Sequence, residues 1–107
     1  MIPENTSRLA YYIKLAVSGT AAEIRLILAE LNAEMTFADS RFIDYALSLV
    51  TSHEGVETIR AYLFEGTQVQ RNYCTLFFSR RCAKGDWETV KQAYRMGLID
   101  QKQAFSK

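Results

Sequence analysis

Apolar residues return at steps of three and four through most of the chain. Leu9, Tyr12, Ile13 and Ala16 make a first stripe, and Ile24, Ile27, Leu28 and Leu31 a second. Phe42, Tyr45, Ala46 and Leu49 follow, then Val56, Ile59, Tyr62 and Leu63. Tyr73, Leu76 and Phe77 lead on to Val90, Ala93, Tyr94 and Gly97. Residues so spaced share one side of a 3.6-residue turn, which is the pattern of a helix with one buried face. Sustained alternation, the mark of a half-buried strand, is absent. The pattern predicts an all-α fold of six helices, near 7–17, 20–31, 40–51, 54–65, 71–83 and 86–96, with a short capping turn or helix near 100–106.

Local signals support these spans. Thr20-Ala-Ala-Glu23 and Thr51-Ser-His-Glu54 have capping-box spacing. Asp39-Ser40 and Gly85-Asp86 precede the third and last stripes, where a short side-chain oxygen can accept from an orphan first-turn amide, worth ~1 kcal/mol. Gly66 and Gly97 stand where stripes end, as expected of a left-handed residue after a helix. Pro3 is the only proline, so no helix breaker follows it. Short connections alternating with longer ones predict three antiparallel helix pairs.

The second helices of these pairs repeat. GTAAEIRLILAEL, EGVETIRAYLFEG and GDWETVKQAYRMG align so that Ile24, Ile59 and Val90 are equivalent, followed four residues on by Leu28, Leu63 and Tyr94. The spacings are 35 and 31 residues, averaging 33. GDWETVK resembles the glycine–polar–apolar–Glu–x–Val–Lys opening of the second helix of an ankyrin repeat, and MGLID resembles that helix's closing glycine and loop. The period is also that of ankyrin repeats. The resemblance covers most of the chain in layout, but in residues it is good only for 85–100. The family's Thr-Pro-Leu-His opening is missing. Tyr12, Leu47 and Phe78 stand at its Leu position, and Ile13, Ser48 and Ser79 at its His position. The close-approach alanines become Leu15-Ala16, Val50-Thr51 and Arg81-Cys82. The resemblance implies a divergent, short ankyrin-like α-solenoid with repeats near 7–36, 37–70 and 71–100. Stacking neighbours would bury a face that no single pair can bury alone.

Length changes the picture little: 107 residues suit one domain spanning 1–107. Charge adds more. Residues 1–70 carry five Lys/Arg against nine Asp/Glu, whereas residues 71–107 carry eight against three. A basic third can meet an acidic protein surface or a nucleic acid. Arg80, Arg81 and Lys84 form its densest cluster, with Arg71, Lys91 and Arg95 nearby and Phe77 and Phe78 alongside. The phenylalanines fall in the helical stripe and are expected in the core, which favours an acidic protein over stacked bases.

Catalysis has little support. His53-Glu54 followed by Glu57 lacks the second histidine of a zinc-protease helix, and His53 is the only histidine. No phosphate cradle appears. Cys74 and Cys82, eight residues apart on one predicted helix, would stand roughly 12 Å apart, too far for a disulfide. Both are expected to be packing residues in a reducing compartment. No signal peptide and no membrane span is read, so a cytoplasmic location is expected. No metal, cofactor or catalytic residue is expected.

In ankyrin repeats, binding follows the loop tips and the exposed side of the first helices. Carried over, the resemblance points to Met35 and Thr36 in the first loop and to Thr67, Gln68 and Gln70 in the second. On first helices it points to Lys14, His53, Arg80 and Lys84. With Arg71 from the basic cluster, these residues predict a non-catalytic protein-binding module, an adaptor or inhibitor. A neutraliser of one partner, such as an immunity protein or antitoxin, is an alternative, and nucleic-acid binding through the basic third is another.

Overall fold

The computed structural model describes residues 4–99. The turn expected near 100–106 lies outside them. Six α-helices and no strand occur among the described residues: α1 (Glu4–Ser18), α2 (Ala21–Ala29), α3 (Phe37–Leu47), α4 (His53–Glu65), α5 (Gln68–Arg81) and α6 (Asp86–Arg95). The helices fall into two compact units, Met1–Thr58 and Ile59–Lys107, and α4 runs across the division. In the first unit α1 lies against α2 and, most extensively, against α3. In the second, α5 lies against α6.

The buried residues of the first unit include Tyr12, Leu15, Ala16, Ile24, Ile27, Leu28, Ile43 and Leu47. Those of the second include Ile59, Leu63, Cys74, Phe77, Phe78, Val90 and Ala93. The stripes of α3 and α5 differ most from expectation. In α3 the buried set is Ile43, Ala46 and Leu47, while Phe42 is half-buried and Tyr45 exposed. The helix carries apolar residues on both sides, so period alone chose the wrong neighbour by one position. In α5 the buried set is Cys74, Thr75, Phe77 and Phe78, while Tyr73 and Leu76 are half-buried. Thr75 can be buried because its hydroxyl donates to the Arg71 carbonyl at 2.8 Å.

Most of the repeat positions are buried. Ile24, Ile59 and Val90 are buried, as are Leu28 and Leu63. Tyr12, Leu47 and Phe78 are buried too. Tyr94 departs from its counterparts by being exposed.

Capping residues explain where helices start. Thr20 accepts from the Glu23 amide, as the spacing predicts. Hydrogen bonds from the Ser18 and Thr20 hydroxyls hold the Glu23 carboxyl below the usual glutamate range. α3 begins earlier than expected because Thr36, not Asp39 or Ser40, accepts from the Asp39 amide. α4 is capped by Ser52 rather than Thr51: Ser52 Oγ accepts from the Gly55 amide at 3.0 Å. Thr67 and Gln70 form a reciprocal capping box for α5. Gly85, not Asp86, occupies the cap of α6, without a side-chain bond.

At the far end of α6, Gly97 (φ +77°) lets the Leu98 amide reach the Ala93 carbonyl at 3.0 Å and its own amide reach Tyr94 at 3.0 Å. Gly66 does not share this left-handed conformation; Cys82 (φ 51°) has it instead.

In the first unit the turn after α1 is tied to the start of α4. Ser52 Oγ donates to the Gly19 carbonyl at 2.7 Å, and Glu54 Oε1 accepts from the Ala21 amide at 2.6 Å. A second tie joins α1, α2 and α3. Arg8 donates to Asp39 at 3.0 Å and to the Tyr12 hydroxyl at 3.0 Å, and Tyr12 donates to Glu30 at 3.4 Å.

Candidate interaction surface

α5 ends at Cys82, and the loop to α6 is held by Asp86. This carboxylate is 1% exposed; its Oδ2 accepts from the Ala83 amide at 2.9 Å and lies 3.6 Å from Arg81 Nε. Its place in the first turn of α6 puts negative charge at the positive end of the helix. The loop so fixed displays Lys84 to solvent.

α6 buries Asp86, Thr89, Val90 and Ala93. Trp87, Lys91 and Tyr94, spaced i, i+4 and i+7, line one side of that buried face. Trp87 is 50% exposed and Tyr94 38%. Arg95 and Met96 are exposed beyond them. Lys91 lies 3.6 Å from Glu88. Large aromatic area therefore remains outside the core, on a helix whose backbone is already ordered and among several cations.

The residues expected from the sequence are distributed differently. Lys14 is exposed on α1, and Met35 is half-buried between α2 and α3. Thr67 and Gln70 use their polar atoms on each other's backbone as the α5 cap. Arg71 is a clamp: it donates to the Leu98 carbonyl at 2.9 Å, to the Gly66 carbonyl at 2.7 Å and to Gln68 at 3.0 Å. Gln68 also donates to Asn72 at 2.7 Å. Thr67, Gln68, Gln70 and Arg71 thus hold the start of α5 and the end of the described chain. Arg80 and Lys84 are exposed, as is Arg81, whose guanidinium lies 5.9 Å from the Phe77 ring. Phe77 and Phe78 are buried edge to face, 5.0 Å between centroids, and do not share the surface with the arginines.

Sequence reasoning missed Trp87 and Met96, and assigned Tyr94 to the buried stripe. Trp87, Lys91 and Tyr94 border the buried face beside Val90, and the i, i+4 spacing of Val90 and Tyr94 argues for burial of Tyr94 rather than against it. The first unit has exposed aromatics as well, at Tyr11, Phe37 and Tyr45. Arg41 covers Phe37 at 5.5 Å.

Charge divides with the units. Over residues 4–58 there are four Lys/Arg against eight Asp/Glu, a balance of −4. Over residues 59–99 there are seven against three, a balance of +4. The asymmetry read along the chain is a property of two folded pieces.

Reactive chemistry is sparse. His53 is exposed at the start of α4. Among the described residues, no three His, Cys, Asp or Glu side chains group as metal ligands would, and no helix is long and apolar enough to cross a membrane. Cys74 is buried and its thiol is pushed up to about 12 by that burial. Cys82, expected to be at least half-buried, is exposed because α5 ends at Arg81; its thiol donates to the Ser79 carbonyl at 2.8 Å. Both thiols are free. An aromatic disulfide reagent at neutral pH is expected to modify Cys82 within minutes and Cys74 only after denaturant is added. Fast modification of both in the native state would contradict the burial of Cys74.

Comparison with protein-family models, with curated proteins and with solved structures returns no match for this chain.

Proposed function

We propose that the chain is a non-catalytic protein-binding module, an adaptor or inhibitor, that takes its partner on the α6 surface. The observation carrying this reading is the pair of half-exposed aromatics, Trp87 and Tyr94, standing on an ordered helix with cations around them. Tryptophan, tyrosine and arginine dominate the energetics of protein interfaces because they bury much area and keep a polar handle. A helix that is already rigid loses little further entropy when it docks. Lys84, Lys91 and Arg95 select a partner with an acidic face and speed the encounter. The ankyrin-like stacking of helix pairs belongs to the same proposal, supported by the shared burial of the repeat positions. A dedicated neutraliser of the immunity-protein or antitoxin kind would use the same surface, and the two free thiols suit a reducing cytoplasm.

The basic excess of the second unit favours a second reading, nucleic-acid binding. Against it stand the burial of Phe77 and Phe78, which takes both rings away from the exposed arginines, and exposed Glu88 beside Lys91.

The test is affinity capture from the lysate of the native host, with and without nuclease, using the wild type and the Trp87→Ala/Tyr94→Ala variant. One stoichiometric protein is expected to survive nuclease and to be lost at least about tenfold with the variant, since interface aromatics cost ~2 kcal/mol or more when truncated. Trp87 is the only tryptophan, so its emission should move to the blue when the partner covers it. Equal capture by both proteins would remove α6 from the interface. Loss of every partner on nuclease treatment would make nucleic acid the ligand.

A further inference from the structure

We infer that the occupant of the α6 surface is an acidic amphipathic helix of the partner, laid along the stripe of Trp87, Lys91 and Tyr94. This rests on the reading of α6 as a binding surface and names what it binds. The basis is what meets the same stripe on the earlier second helices. In the alignment of those helices, Trp87, Lys91 and Tyr94 take the places of Val56, Arg60 and Leu63 on α4, and of Ala21, Arg25 and Leu28 on α2. On α4 the two apolar places are covered, Val56 being 5% and Leu63 0% exposed. Arg60, between them, meets the following helix pair. Its guanidinium donates to the Thr89 hydroxyl of α6 and lies 4.9 Å from the centre of the Phe78 ring of α5. In the first unit α2 does likewise: the Ala21 amide donates to Glu54 of α4, which belongs to the following pair, and Leu28 is fully buried.

On α6 this stripe is half-exposed instead. Its counterparts are met by helices, so a helix suits it. Two large aromatics one to two turns apart fit apolar side chains that recur at three- and four-residue steps on a partner helix. Charge selects the rest of that helix. Lys91 stands within the stripe, Arg95 one turn on, and Lys84 in the loop before α6, so carboxylates bordering the partner's apolar face would pair with them. The first pair of a second copy is a poor substitute. Tyr12 and Glu23 hold the places of Phe78 and Thr89 there and are already engaged: Tyr12 is buried and bonded to Arg8 and Glu30, and Glu23 accepts from Ser18 and Thr20.

The test uses the whole chain and three synthetic peptides of ~18 residues, about five helical turns, without tryptophan. One has leucines at helical spacing and glutamates on its other faces. The second has the same composition in scrambled order, and the third has lysine in place of glutamate. The first should shift the emission of Trp87, the only tryptophan, to the blue and gain helical circular dichroism on binding. It should bind at least about tenfold tighter than the other two. Tyr94→Ala keeps the reporter and should weaken it about tenfold. Lys91→Glu with Arg95→Glu should turn the preference towards the lysine peptide, with circular dichroism of the free protein checking that the variant is folded.

Equal binding of the scrambled peptide overturns the inference, because the surface would then read charge without a helix. Equal binding of the lysine peptide overturns its acidic character. A mass for the protein alone that rises with concentration above 12.2 kDa, and stays there in Tyr94→Ala no longer, would make a second copy the occupant. A red shift of Trp87 emission in Phe105→Ala would make the chain's own last segment the occupant. If the first peptide does not bind, the inference falls; the α6 reading then stands if Trp87→Ala/Tyr94→Ala still loses a host protein, and falls with it if capture is unchanged.

Discussion

Val90→Asp is expected to abolish the cooperative unfolding transition of the second unit. Val90 is 1% exposed on the inner face of α6, at the repeat position held by Ile24 and Ile59, both also buried. The substitution removes an apolar side chain whose burial contributes ~1.5–3 kcal/mol. It also places a carboxylate where no water reaches, at a further cost of several kcal/mol whether the group stays charged or takes a proton. Asp86 stands one turn earlier on the same face and is itself buried, so the new charge would face a like charge at i, i+4. Small domains have only about 5–15 kcal/mol in total. Val90→Ala, which removes volume without charge, should leave the fold intact and cost about 2 kcal/mol. Thermal denaturation followed by circular dichroism separates the two. A Val90→Asp protein that melts like the wild type would mean that α6 does not bury this face.

Much of the helical layout could be read from the chain because the signals were redundant. The spans of α4 and α6 lie close to expectation, although Ser52 rather than Thr51 caps α4 and Gly85 caps α6 without a side-chain bond. α3 and α5 gave the periods but not the buried side. Each carries apolar residues around most of its circumference, so the face is chosen by neighbours that the sequence does not name. Thr36 and Thr67 were passed over as caps although Thr36-x-x-Asp39 and Thr67-x-x-Gln70 have the required spacing. Reading them as binding-loop residues obscured their role in starting helices. The α6 surface was illegible for a related reason. Tyr94 aligns with Leu28 and Leu63, so the repeat argued for burial, and only its position beside Val90 rather than beneath it leaves it in solvent. The division into an acidic and a basic unit was half legible, because charge can be counted along a chain but the structural boundary cannot.

Gly19→Ala should cost markedly more than Gly97→Ala, and the comparison separates conformational strain from packing. Both glycines have positive φ, +69° and +77°. A side chain in the left-handed region costs ~1–2 kcal/mol by itself. Gly97 has nothing within 4 Å of an added Cβ, so the dihedral cost is all that Gly97→Ala incurs. At Gly19 a Cβ would collide with Ser52 Oγ and lie 3.0 Å from Ser52 Cβ. Ser52 cannot turn away freely, because its hydroxyl donates to the Gly19 carbonyl and accepts the Gly55 amide that opens α4. Retreat would forfeit both bonds, each ~1 kcal/mol, and leave an orphan amide at a helix start. Gly55 lies on the other side: a Cβ there would stand 3.2 Å from the Gly19 carbonyl oxygen, so the turn and the start of α4 approach each other closely. Gly19→Ala should therefore cost about 3 kcal/mol or more, roughly twice the dihedral cost alone. The double variant Gly19→Ala/Ser52→Gly removes the collision along with the hydroxyl. Its cost should fall below the sum of the two single variants by about 1–2 kcal/mol, the coupling expected of residues in direct contact. Urea unfolding of the four proteins gives that coupling directly. A value near zero would mean that the turn after α1 and the start of α4 yield independently, and the Ser52 tie would not be what orders the first unit.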